Sequence, residues 1–155
     1  MTNPTVSIRK AAPGDIHTLV AFNQAMARET EDRHLPDARL LAGIEKLFQN
    51  PHYGYYLVAE IEGEVVGCLM ITYEWSDWRN GLCWWIQSVY VKPAHRRQGV
   101  YTRLYEYVKQ QAAEDGGICG FRLYVERENH VARETYTALG MQEAYYIMYE
   151  AMLVE

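Results

Sequence analysis

The sequence predicts a single mixed α/β domain, an antiparallel meander followed by a β-α-β-α-β run. Three observations carry this. Residues 55–61 and 65–75 are β-rich runs joined by Glu62-Gly63-Glu64, which reads as a hairpin. Residues 83–91 add a third run, dense in aromatic and β-branched side chains. Residues 100–113 then switch to helical periodicity, and Phe121, Leu123 and Val125 switch back to alternation.

Taken in order, residues 6–10 alternate as a short strand. Pro13-Gly14-Asp15 marks a turn, with Asp15 as the expected N-cap of a helix to about residue 28. Residues 29–37 are polar and contain Pro36, so they read as a loop. A second helix is expected over residues 37–48, with Leu40, Leu41, Ile44, Leu47 and Phe48 on one face. Asn50-Pro51 ends it. The meander follows, its last turn marked by Asn80-Gly81. In the next helix Val100, Leu104, Tyr107 and Val108 fall on one face, and Gly116-Gly117 breaks it. A strand is expected over residues 120–125, and a short helix over 129–139 that stops at Gly140. Residues 144–154 are β-rich and are expected to pair back on the sheet.

At 155 residues and 49% apolar, the chain fits one domain, residues 1–155, with a sizeable core. The net charge of −5 argues against a nucleic-acid binder and suits a cationic acceptor. Cys68, Cys83 and Cys119 are odd in number and lack zinc spacing, so they read as buried small hydrophobes in a reducing cytosol. The five histidines show no ligand spacing either, and no metal is expected. Residues 1–10 hold no apolar leader core, and no run is long enough to cross a membrane. The expected location is cytoplasmic.

The stretch that carries chemistry is Arg96-Arg97-Gln98-Gly99-Val100-Tyr101-Thr102, at the mouth of a helix and just after a strand. A helix start offers unpaired N–H groups and partial positive charge. Gly99 lets the backbone approach a ligand, and two arginines add charge-assisted donors. Such a place suits a phosphate.

This order resembles the acetyl-CoA signature of the GNAT N-acetyltransferases: Arg or Gln, two residues, Gly, one residue, then Gly or Ala. Here Tyr101 stands at the second small position, which leaves room only if its side chain turns away. A second stretch, Asn129-x-x-Ala132-x-x-x-Tyr136-x-x-Leu139-Gly140-Met141, looks like the family's Asn-x-x-Ala-x-x-x-Tyr-x-x-Leu-Gly-Phe. The element order matches as well, so the resemblance covers nearly the whole chain.

The resemblance implies a GNAT-like acyl-CoA N-acyltransferase fold that binds acetyl-CoA. It implies that N–H groups from Gln98 to Thr102 hold the pyrophosphate, with Arg96 and Arg97 beside them. By the same resemblance the strand edge near Val89 and Val91 pairs with the pantetheine arm, Asn129 contacts the cofactor, and Tyr136 lies near the thioester sulfur.

Acetyl transfer to an amine needs a neutral amine, a donor to the carbonyl oxygen and a proton for the departing thiolate. Tyr136 is the expected proton donor. Many relatives carry a glutamate where Gln87 stands, and glutamine can hold a water but cannot take a proton. Glu74 and Asp77, beside the meander turn, are the nearest carboxylates, readable as solvated surface groups, as a base, or as steering charges for a cationic amine. Glu126 is a further acceptor-side carboxylate, and relay through water is another route. The cluster of Trp75, Trp78, Trp84 and Trp85 reads as core or dimer contact, or as the wall of an acceptor pocket that includes Trp75.

The expected activity is acetylation of a primary amine by direct attack in a ternary complex. A small polyamine-like or antibiotic amine is favoured over a protein amine, and a homodimer is expected. The alternative is a non-catalytic acyl-CoA-binding sensor or interaction module.

Overall fold

The computed structural model describes residues 4–154, so the leader expectation at residues 1–3 lies outside the described residues. The chain falls into two compact units, divided between Tyr124 and Val125. The first holds β1 (Val6–Lys10), α1 (Ile16–Glu31), α2 (Asp37–Gln49), β2 (Gly54–Ile61), β3 (Glu64–Ser76), β4 (Gly81–Val91), α3 (Val100–Asp115) and β5 (Ile118–Arg122). The second holds α4 (His130–Ala138).

The five strands form one sheet in chain order, β1-β2-β3-β4-β5. The first three pairings are antiparallel and β4 pairs β5 in parallel, with α3 as the crossover. The β2–β3 hairpin closes over Glu62 and Gly63, whose φ of 51° and 80° suit the two-residue turn that matches strand twist.

Alternation along β2 divides the core into two faces. Tyr56 and Val58 point to α1 and α2, joining Leu19, Phe22, Ile44, Leu47, Cys68 and Tyr90 in one buried cluster. Leu57 and Ala59 point to the other face, where Val100, Leu104 and Val108 of α3 are buried. A Cβ on Gly67 would lie 3.0 Å from the Tyr90 carbonyl oxygen and 3.3 Å from Val100 Cγ1. The missing side chain is therefore what lets the first turn of α3 seat on β3.

Four expectations are corrected. Asp15 sits at the N-cap position of α1 but does not cap it. Its carboxylate instead accepts from Arg9 Nη1 at 2.7 Å and from the Ala12 N–H at 2.7 Å. Helix α1 runs on to Glu31, so the loop is shorter, and Asp32 closes the helix at φ 47°. The fifth strand begins two residues early, at Ile118, and ends three residues early, at Arg122, because its pairing with Leu82 to Trp85 sets its bounds. Local alternation could not place that register. Residues 141–154 contain no strand: a strand exists only through a neighbour's hydrogen bonds, and the sheet ends at β5.

The cysteine reading also divides. Cys68 and Cys83 are buried, and burial pushes the Cys68 thiol up to about 12. Cys119 is exposed, because it points away from the core on the last strand of the sheet.

Candidate active site

The segment expected to receive phosphate is shaped by two left-handed residues. After a short 3-10 turn at Pro93–His95, Arg97 adopts φ 61° and Gly99 φ 79°. Left-handed residues at these points turn successive N–H groups toward one side, and such concavities bind anions. The first helical bond of α3 runs from the Arg103 N–H to the Gly99 carbonyl at 3.0 Å. The N–H groups of the turn before it lie along the helix axis and carry its positive end.

Tyr101 does not cross this mouth. Its ring stacks on Tyr105, centroids 6.3 Å apart and planes at 16°, so it runs along the flank of α3. Tyr105 in turn meets Phe121 edge-on at 5.9 Å. The departure from the small-residue pattern is thus absorbed by an aromatic stack against β5.

The two arginines differ. Arg97 is exposed at the loop. Arg96 is tied down: its Nε donates to the Val91 carbonyl at 2.8 Å and its Nη2 to Glu29 Oε2 at 2.6 Å. Its guanidinium also lies 5.5 Å from the Tyr90 ring centre. The Tyr90 hydroxyl donates to the other oxygen of Glu29 at 3.3 Å.

An open strand edge lies beside the cradle. The β4–β5 ladder stops at Trp85 opposite Arg122, so among the described residues no strand pairs with 86–91 on that side of the sheet. A bulge bends the same stretch. Between the Met70↔Gln87 and Cys68↔Tyr90 pairs, β4 carries one residue more than β3, and Ser88 takes φ 52°. Val89 and Val91 fall in this unpaired stretch. A helix mouth with left-handed turns, an aromatic ring kept aside and a free strand edge together fit the phosphates and amide-bearing arm of acetyl-CoA.

Cross-strand pairs gather a polar surface on β3 and β4. Gln87 Nε2 donates to Thr72 Oγ1 at 2.6 Å. Glu74 Oε1 accepts from Trp85 Nε1 and from Arg122 Nη1, each at 2.8 Å. The Trp85 indole first, and the Arg122 guanidinium after it, hold the Glu74 carboxyl below the usual carboxylate range. Glu74 is therefore an anion at neutral pH and a weaker base than an ordinary glutamate. Tyr124 meets the Trp85 ring at 6.2 Å and is itself exposed.

The tryptophans separate by role. Trp84 is buried among Tyr55, Tyr73 and Phe121. Trp75 and Trp78 are 60% and 86% exposed at the end of the meander. Asp77 accepts from the Trp78 N–H at 2.8 Å and is exposed on that turn.

In the second unit, Asn129 caps α4, its Oδ1 accepting from the Ala132 N–H at 3.2 Å. That bond leaves its amide NH₂ as the part able to donate to a ligand. Glu126 builds the preceding turn, accepting from the Glu128 N–H at 2.8 Å through its carboxylate. Tyr136 lies on α4, and burial pushes its phenol above the ordinary value, so it stays protonated at neutral pH.

Sequence reasoning missed Glu29, Thr72, Ser88, Arg122 and Tyr124. Each acts through a cross-strand or helix-to-loop pairing, and no local pattern marks such a residue. Among the described residues no group of His, Cys, Asp and Glu converges as a metal site, and no helix is long and apolar enough to cross a membrane.

Comparison with known proteins bears on the same residues. The model of the acetyltransferase (GNAT) family matches residues 18–141. A thialysine N-epsilon-acetyltransferase of Bos taurus is 30% identical, over 89% of this chain and 85% of that protein. The crystal structure of a possible acetyltransferase from Clostridium difficile 630 superposes with a TM-score of 0.89 at 43% identity, covering 97% of this chain and 99% of that one. A predicted acetyltransferase from Clostridium acetobutylicum, solved with acetyl-CoA, shares the fold at a TM-score of 0.77 and 20% identity, over 96% of this chain and 97% of that one.

Proposed function

The chain belongs to the GNAT acetyltransferase family and is an acetyl-CoA-dependent N-acetyltransferase, and from that premise we propose that its acceptor is the primary amine of a small molecule. The observation that carries this is the Glu74 carboxylate, held ionised on the β3–β4 surface by Trp85 and Arg122. A fixed negative charge beside aromatic side chains suits a cationic amine. Similarity to an enzyme named for the ε-amine of thialysine supports the same class.

In this reading, N–H groups from Gln98 to Thr102, including those of Gly99, Val100 and Tyr101, hold the pyrophosphate, and Arg97 adds charge. Arg96 fixes the loop through Glu29 and Val91. The free edge at Val89 and Val91 receives the arm, and Asn129 donates to the cofactor through its amide. Acetyl-CoA supplies an activated thioester carbonyl.

Glu74 draws and orients the ammonium form of the acceptor; Trp75, Asp77 and Glu126 are the further residues we propose for acceptor binding. Gln87, fixed by Thr72, positions a water through which the amine loses its proton. Tyr136, kept neutral by burial, holds at its Oη the proton for the departing sulfur. The family match spans both compact units, which supports one acetyltransferase domain over residues 1–155. We read the enzyme as a cytoplasmic homodimer; its free thiols, one of them exposed, suit a reducing compartment.

The test is release of free CoA thiol from acetyl-CoA with a panel of primary amines, run beside thermal shift with acetyl-CoA alone. Release with diamines, lysine analogues or aminoglycosides supports the proposal. Release only with peptide or protein amines removes the small-molecule reading. Stabilisation without release on any amine removes the acceptor class altogether and returns the sensor alternative.

A further inference from the structure

Ser88 is a left-handed residue inside a strand. Among the described residues five other than glycine have positive φ. Asp32 closes a helix, and Glu62, Asn80 and Arg97 lie in turns. Only Ser88, at φ 52°, falls within a strand. Serine has no particular preference for that conformation, and such strain persists only where the surroundings over-determine it. The bulge it makes lies between the Met70↔Gln87 and Cys68↔Tyr90 pairs, at the start of the β4 edge proposed above to receive the arm of acetyl-CoA.

The core beneath this bulge holds polar groups that apolar packing does not require. Asn23, 6% exposed on α1, donates through Nδ2 to the Leu19 carbonyl at 2.9 Å and to the Tyr56 hydroxyl at 3.2 Å. Tyr56, 4% exposed on β2, carries that hydroxyl across β3 toward the Ser88 side chain. Cys68, fully buried on β3, donates through Sγ to the Ser88 carbonyl at 3.4 Å. Phe22, next to Asn23, meets the Tyr90 ring at 5.0 Å and anchors the far side of the bulge. An amide, a phenol and a thiol in a core each carry a desolvation penalty that only a bonding partner offsets. Their convergence, from three elements, on one strained residue explains why they are there.

We propose that Asn23, Tyr56 and Cys68 are positioning residues that hold Ser88 left-handed from the core, and so keep the β4 edge at Val89 and Val91 in the register that takes the arm of acetyl-CoA. The competing state is an unbulged strand. If Ser88 returns to extended backbone, β4 slips by one residue against β3, and Val89 and Val91 exchange faces. The three side chains touch no cofactor and act through Ser88 alone. The inference rests on the reading that this edge receives the arm, and it names what shapes the edge.

The experiment begins with the free protein. A residue at positive φ gives a strong intraresidue HN–Hα nuclear Overhauser cross-peak, expected at Ser88 in the parent chain. Tyr56→Phe keeps the ring and removes the hydroxyl; the cross-peak is expected to weaken, and the affinity for acetyl-CoA by calorimetric titration to fall about fivefold. Asn23→Leu, of similar volume, is expected to do the same and serves where Tyr56→Phe does not fold. Ser88→Gly, free to take either sign of φ, is expected to weaken binding by a similar factor. Tyr56→Phe added to Ser88→Gly is expected to change the affinity by less than about twofold, since the hydroxyl then has nothing to hold. A parent chain without the cross-peak, a cross-peak unchanged in both core variants, or effects of Tyr56→Phe and Ser88→Gly that add in full overturn the positioning role, while the reading of the edge stands. A cross-peak lost with the affinity unchanged overturns the positioning role and the reading of the edge together.

Discussion

Glu29 at the end of α1 and Arg96 in the loop before α3 are joined by a 2.6 Å ion pair that spans 67 positions of sequence. Arg96 also holds the Val91 carbonyl, so the pair fixes the loop against both α1 and the end of β4. Glu29→Gln should loosen the loop without touching the reacting atoms. KM for acetyl-CoA should rise about threefold to tenfold, the equivalent of roughly 0.7–1.4 kcal/mol, with kcat nearly unchanged. Steady-state kinetics with acetyl-CoA varied decides this, and an unchanged KM would separate the ion pair from the cradle.

Gly99 takes φ 79° at the mouth of α3. A branched side chain there is strained by about 1–2 kcal/mol and stands at the proposed phosphate site. Gly99→Val should weaken acetyl-CoA binding at least about tenfold while costing a few degrees of melting temperature. Calorimetric titration with acetyl-CoA checks it; affinity within twofold of the parent would place the phosphates elsewhere.

Tyr136 is kept protonated by burial. Tyr136→Phe should lower kcat by about 100-fold, the lower range of general acid catalysis, and leave acetyl-CoA affinity within a factor of about two. Single-turnover rates beside equilibrium binding separate the two effects. Full turnover in the variant would take Tyr136 out of the mechanism.

Glu74 is an anion fixed by Trp85 and Arg122, while Asp77 lies on an exposed turn. Glu74→Gln should raise KM for the amine about tenfold, and Asp77→Asn by less than about twofold, because screening weakens an exposed charge. Equal KM values in the two variants would argue against a steering role for Glu74.

Asp15 is held below its ordinary value of 3.8, first by the Arg9 guanidinium and then by the Ala12 N–H. A depressed folded-state pKa means stability that is full above the unfolded value and lost as pH falls through the folded one. Asp15→Asn should therefore cost about 1 kcal/mol at pH 7, kept small by the exposure of Arg9, and the gap to the parent should start to narrow below about pH 4 and close once pH has fallen through the depressed folded-state value. Urea unfolding at both pH values measures it; a gap that stays constant with pH would mean the carboxylate's charge contributes nothing.

The order of elements was legible because each is encoded locally. Leu104 and Val108 announce a helix by their spacing, and Glu62-Gly63 announces a hairpin by needing two positive φ values. The Arg96–Thr102 segment was legible for the same reason: a glycine at a helix mouth is a local signal. The tail at residues 144–154 was misplaced because β-propensity states that a strand can form and not which edge receives it.

The sequence by itself determined a meander, a crossover helix entered through a glycine, and the family signature on either side of β5. Only the tertiary structure decided that Arg96 is held by Glu29, that Gln87 leans on Thr72, that Glu74 is locked by Trp85 and Arg122, and that Tyr101 lies aside on Tyr105. Periodicity and turn chemistry act over a few residues and can be read along the chain. Register, the Ser88 bulge and the ionisation of a carboxylate depend on groups brought together from distant positions, and they exist only once the sheet has formed.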